Sequence, residues 1–330
     1  MAAIVGAISM SHAPGASGWP QAPEPGMRAR LETIHRGVAD YLDACRPDLI
    51  VAFLDDHFEN HYRKLMPTFS IGIASSHAGP AEYMVKALGM TRQERIASDP
   101  ELGEHLLSEL VHEGFDLARM GEVEYGNNLM TPLMLIRPQC DIKVLPVFTN
   151  VFSPPLTTTR RAYQMGSAVR RCLEAYPESL RICLLATGGL SHWPPVWTNK
   201  SPEDDAFLAR MKRYQTEGKA YLAQDPRIYE DLCEYEVRMA AANQYPLNSD
   251  HPLVNADWDR SVIDAIGAGD KEKLFAMTFE EIEKSGGHGG HELLNWMAVM
   301  GAMHGAPAKV LGYEPVIEWI CGMGYLVYEL

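Results

Sequence analysis

The chain has 330 residues, a formal net charge of −14, 46% apolar residues and 22% charged residues, which is enough apolar chain to bury a sizeable core. No run of Lys or Arg breaks the acidic background, so a nucleic-acid-binding footprint is excluded. No stretch of about 18 apolar residues is present to cross a membrane; small organic ligands remain, anionic ones included, since a local basic pocket can exist on an acidic protein.

Residues 2–9 are apolar, lack a positive flank and end at once in Ser11-His12-Ala13-Pro14; they read as a buried first strand rather than a signal peptide. An amphipathic helix is expected over 25–44, and a second strand over 48–54 (Asp-Leu-Ile-Val-Ala-Phe-Leu) leads into Asp55-Asp56-His57. Ser98-Asp99-Pro100 is a helix-start signal for 100–112. Strands are expected over 143–150 and 181–186, with a helix over 158–176 between them. This alternation predicts an α/β fold, a central mostly parallel sheet flanked by helices. From 202 to 244 the composition shifts to long, charged, helix-favouring residues, read as two or three inserted helices that form a lid or a dimer interface. The amphipathic pattern resumes over 257–266. Residues 285–290 (Ser-Gly-Gly-His-Gly-Gly) read as a flexible loop, 291–303 as a helix starting directly after it, and 309–330 as β-like. The whole chain, 1–330, reads as a single domain with that insertion. Its six cysteines form no CxxC pair and read as reduced core thiols of a cytoplasmic protein, not as a zinc site.

Three histidines share one structural address. His12 follows the first strand, His57 the second, and His192 the strand that runs into Thr187-Gly188-Gly189-Leu190-Ser191. Open α/β sheets bind ligands outside the carboxyl ends of their strands, so these imidazoles are expected to converge. Singly, each also reads as a hydrogen-bonded loop residue. Glu292 lies in the first turn of a helix just after four glycines. There it serves either as charge compensation for the helix dipole or as the carboxylate of a two-His, one-carboxylate metal site.

Four separated stretches carry a resemblance: Ser9-Met10-Ser11-His12-Ala13-Pro14, Asp55-Asp56-His57, Thr187-Gly188-Gly189-Leu190-Ser191-His192 and Gly289-Gly290-His291-Glu292-Leu293-Leu294-Asn295-Trp296. In this order they resemble the class III extradiol dioxygenases, the family of the protocatechuate 4,5-dioxygenase catalytic subunit. Residues 67–72 and 146–150 are similar to that family's core strands. The resemblance implies Fe(2+) held by His12, His57 and Glu292, with His192 as acid–base residue. It also implies ring cleavage beside two adjacent hydroxyls of a catechol-like, gallate-like or 2-aminophenol-like aromatic, with both atoms of O2 entering the product. His291, adjacent to Glu292, points elsewhere on its helix, while His288 is a candidate to line the pocket.

The family has a second active-site histidine where this chain reads Glu122-Val123-Glu124-Tyr125-Gly126-Asn127-Asn128. Tyr125 is therefore expected either beside the open metal positions, as a catalytic hydrogen-bond donor, or as a packed tyrosine holding the turn. A phenol of pKa about 10 shuttles protons poorly, which leaves that task to His192. No phosphate-cradling GxGxxG or GxxxxGK motif occurs, so no organic cofactor is expected. A homo-oligomer, a dimer, is expected. The competing reading is a divalent-metal hydrolase using the same three ligands, with Asp55, Asp56 or Glu59 as general base.

Overall fold

Eight strands form the main sheet in a computed structural model that describes residues 1–201, 204–244 and 252–329. In chain order the strands are β1 (Ala3–Met10), β2 (Leu49–Asp55), β3 (Phe69–Gly72), β4 (Ser76–Gly79), β5 (Glu94–Ala97), β6 (Ala118–Met120), β7 (Lys143–Thr149), β8 (Arg181–Thr187), β9 (Lys309–Val316) and β10 (Cys321–Tyr328). The sheet order is β6-β3-β7-β2-β8-β1-β10-β9, and β4 pairs with β5 in a separate ribbon. The middle four strands, β7, β2, β8 and β1, are mutually parallel. Beyond them β3 runs antiparallel to β7, and β10 antiparallel to β1 and to β9.

Every residue of β2 is buried, as a strand covered on both faces requires. Alternation assigns its side chains to two different cores. Val51 and Phe53 pack with Leu102 and Leu106 of helix Pro100–His112, Met165 of helix Thr159–Ala175 and Trp296 of helix Leu293–Ala302. Ile50, Ala52 and Leu54 pack on the opposite face with Leu31, Val38 and Leu42 of helix Pro25–Cys45 and Leu129 of helix Asn127–Ile136. The helix starts follow their sequence signals: the Asp99 carboxylate accepts from the Leu102 amide at 3.1 Å, and Pro100 occupies the first turn.

The expected strands and helices through residue 187 are present, most within a residue or two of the expected limits. The segment read as an insertion contains helices Ala206–Glu217, Lys219–Leu222 and Ile228–Ala242; its first two residues, 202 and 203, lie outside the described residues. One expectation needs correction. Residues 286–290 are buried, not a free loop. The Gly286 carbonyl accepts from the His192 amide at 2.9 Å and the His192 carbonyl accepts from the Gly289 amide at 3.2 Å. The segment closes as a 3-10 turn, Gly289–Glu292, before helix Leu293–Ala302 begins. Four glycines there serve close packing, and the sequence alone does not distinguish that from flexibility. All six cysteines are free thiols and five are buried. Among the described residues no helix is long and apolar enough to cross a membrane.

Candidate active site

Because β8 lies between β2 and β1 and all three are parallel, their carboxyl ends open on the same edge of the sheet. His12, His57 and His192 follow those ends within five residues and meet there. Glu292 approaches from the 3-10 turn ahead of helix Leu293–Ala302 and is fully buried. Its Oε2 is 3.3 Å from His12 Nε2, and its Oε1 is 3.4 Å from both His57 Nε2 and His192 Nε2. The His12 and His57 rings meet edge to face, with centroids 5.1 Å apart.

Asp55 joins this cluster. Its Oδ2 is 2.7 Å from His57 Nε2, and its Oδ1 accepts from Asn295 Nδ2 at 2.8 Å. One ligand atom from each of His12, Asp55, His57 and Glu292 lies within 4.8 Å of the others. Neither ring nitrogen of His12 makes a hydrogen bond, though the residue is only 2% exposed. Two buried carboxylates beside two imidazoles demand positive charge, which protons on the imidazoles or a divalent cation supply. Burial works to raise the Glu292 pKa, but the charges of His12 and His192 outweigh it and hold the carboxyl well below its usual range. Burial opposes protonation of His57, yet Asp55 foremost, then Glu292, raise its pKa well above the ordinary imidazole value. The donor set of imidazole nitrogens and carboxylate oxygens fits a first-row divalent metal.

The surrounding hydrogen bonds fix which nitrogen faces the cluster. Asn127 Nδ2 donates to the His12 carbonyl at 3.1 Å, which turns its Oδ1 toward His57 Nδ1 at 3.0 Å. The Nδ1–H of His57 therefore donates to Asn127, and its Nε2 faces Glu292 and Asp55. His192 is arranged likewise: Nδ1 donates to the Leu190 carbonyl at 3.1 Å and Nε2 faces Glu292. Burial lowers the His192 pKa, the Glu292 charge raises it, and the net shift is upward. Gly189 and Gly289 flank this ring so closely that a Cβ on either would lie 2.6 or 2.2 Å from His192 Cε1, so the imidazole occupies space that only glycine leaves free. The loop bearing it is anchored by Asp259, which accepts from the Ser191 amide at 2.7 Å, the Ser191 hydroxyl at 2.9 Å and the Tyr313 hydroxyl at 2.6 Å.

The cluster opens into a cavity that is partly continuous with solvent. Phe58, Phe152, Val196, Trp319 and Ile320 give it apolar walls. Met211 and Tyr214 of helix Ala206–Glu217 and Tyr229, Leu232, Cys233 and Glu236 of helix Ile228–Ala242 line it as well.

Tyr125 is the residue that the structure does not bring to this site. It is absent from the cavity wall, fully buried in the core that contains Leu129 and Met130, and packed edge to face on His77 at 5.6 Å. Its hydroxyl has no hydrogen-bond partner. The cavity-facing residue of that segment is Asn127, two positions on. His288 lines a neighbouring cavity, and His291 bonds Glu283 and stacks on Phe279. Asn127, Asn295 and Glu236 were not singled out by the sequence reading.

A family model for the catalytic LigB subunit of aromatic ring-opening dioxygenase matches residues 6–327. The chain belongs to this family of extradiol ring-opening dioxygenases. Curated relatives named 2,3-dihydroxyphenylpropionate/2,3-dihydroxicinnamic acid 1,2-dioxygenase are 26% identical in Paraburkholderia phymatum, over 96% of this chain and 94% of that one. The same-named protein of Burkholderia vietnamiensis is 28% identical, over 92% of this chain and 90% of that one. In Photorhabdus laumondii it is 29% identical, over 96% of this chain and 94% of that one. The dioxygenase acts on an aromatic substrate with O2 and depends on a metal.

Proposed function

We propose that this dioxygenase holds Fe(II) through His12 Nε2, His57 Nε2 and the Glu292 carboxylate and opens a catechol-type ring next to its two hydroxyls. The observation that carries this reading is the convergence of those three donors, with both His12 nitrogens left without hydrogen bonds. A ferrous ion bound there supplies the electron-transfer and Lewis-acid chemistry that ring opening by dioxygen needs. Asp55 stands beside the three donors with Oδ1 held by Asn295, and its charge adds to the attraction for a cation.

The remaining work belongs to the protein. The apolar walls hold the ring in a site poor in water and fix it in one orientation. His192 removes the proton of the second ring hydroxyl at Nε2, its Nδ1–H still donating to the Leu190 carbonyl. The adjacent Glu292 charge stabilises the resulting imidazolium until the proton is returned. The inserted helices cover the cavity and act as a lid supplied by the same chain.

The test is anaerobic loading with Fe(II), followed by oxygen-uptake and product-absorbance assays across catechol-like, gallate-like and 2-aminophenol-like rings. Stoichiometric oxygen uptake with a ring-opened product on a catechol is expected. Zinc binding with ester or amide hydrolysis and no oxygen uptake would reverse the reading.

A further inference from the structure

The cavity contains a charged group that the reaction above does not use. Glu236, on helix Ile228–Ala242, lines the cavity, is 6% exposed, and leaves Oε2 buried without a hydrogen-bond partner. It shares a helix face with Tyr229, Leu232 and Cys233, which line the same wall. It is close enough to His192 and His57 to feel their charges, and burial pushes its carboxyl up to about 7. A buried carboxyl oxygen without a partner is costly unless something that enters the cavity supplies a donor.

No Lys or Arg lines the cavity among the described residues, and the residues outside that description contain neither. Arg63 and Lys200 line a second cavity that shares only Phe152 with the first. The curated relatives take their names from rings bearing a propionate or its unsaturated counterpart. Here the chain offers such a carboxylate no Lys or Arg on the cavity wall, and beyond the histidine cluster it places a carboxyl group there instead.

Resting on the ring-cleavage reading, we propose that the substrate is a catechol-type ring whose further substituent carries no negative charge and donates a hydrogen bond, through an amino or hydroxyl group, to Glu236. The residue is a specificity determinant on the cavity wall, carried by helix Ile228–Ala242.

The experiment uses the Fe(II)-loaded enzyme and four probes: catechol, 2,3-dihydroxyphenylpropionate, its methyl ester and 3-(hydroxymethyl)catechol. Oxygen uptake gives kcat/KM for each, and anaerobic calorimetry gives Kd independently of turnover. The wild-type enzyme is expected to favour the hydroxymethyl ring over the propionate by at least about tenfold in both measures, the methyl ester falling between. Glu236→Gln should shrink that ratio several-fold, chiefly by tightening the propionate; Glu236→Leu should shrink it by weakening the hydroxymethyl ring. If the propionate equals or exceeds the hydroxymethyl ring in wild type, or if neither variant alters the ratio of Kd values, the proposal is overturned. Absence of oxygen uptake with every ring, catechol included, would instead overturn the ring-cleavage reading, and this proposal with it.

Discussion

His57 Nδ1 and Asn127 Oδ1 lie 3.0 Å apart, and the same amide donates from Nδ2 to the His12 carbonyl at 3.1 Å. One asparagine thereby sets the tautomer of one imidazole and the backbone position of another. Partners of this kind orient ligands without touching the metal, and losing one commonly lowers metal affinity 10–100-fold. Asn127→Leu should therefore weaken Fe(II) binding by about 10–100-fold while far-UV circular dichroism stays native. An unchanged Kd for Fe(II) in a folded Asn127→Leu protein would remove the amide from this role.

Ligands and acid–base residue separate by what is lost. His12→Ala and Glu292→Ala should lose metal and turnover together, because three protein donors leave little redundancy. The same variants should lose the rise in Tm that added Fe(II) gives the wild type, since that rise follows from binding to the folded state alone. His192→Ala should keep both metal and Tm response but lose on the order of 10²–10⁴ in turnover. Metal loss in His192→Ala would make that residue a ligand and break the assignment.

The fold was legible where one physical signal dominated. Apolar runs marked β2 and β8 as strands of a mostly parallel sheet, and Asp99-Pro100 marked a helix start that the structure places at the same residue. The convergence of His12, His57 and His192 followed from strand-end position alone. Asn127 was not legible, because an asparagine near a glycine turn reads equally as a capping residue. Glu236 did leave a signal. On Ile228–Ala242 it falls in line with Tyr229, Cys233 and Met239, all buried, so a carboxylate occupies the apolar stripe of an amphipathic helix. A reading that averaged the segment as charged could not see it. Tyr125 had two readings, and its side chain, buried in the core against His77, favours the packed one.

That placement makes Tyr125 a sharp test. Its hydroxyl is fully buried and unpaired, so its removal leaves no donor or acceptor stranded. Tyr125→Phe should keep kcat and KM within about twofold, with stability unchanged or raised by no more than about 1 kcal/mol. A drop in turnover of tenfold or more, with metal content intact, would return the hydroxyl to the active site.

Asp259 ties the stability of the His192 loop to pH. Burial raises its carboxyl to about 6 in spite of the hydrogen bonds donated by Tyr313 and Ser191. An unfolded Asp titrates near 3.8, the ordinary value, so the folded protein holds the proton more tightly. The stabilisation from this group is therefore complete below that unfolded value and is lost as pH rises through about 6. Above that the fold carries a buried carboxylate at a cost of roughly 3 kcal/mol at most, by linkage. Asp259→Asn keeps an acceptor for the Ser191 amide and removes the titration. Urea denaturation at pH 5 and pH 7.5 should show the wild type losing about 1–1.5 kcal/mol relative to Asp259→Asn across that interval. Parallel pH dependence in the two proteins would mean that the three donated hydrogen bonds, not burial, govern the Asp259 carboxyl.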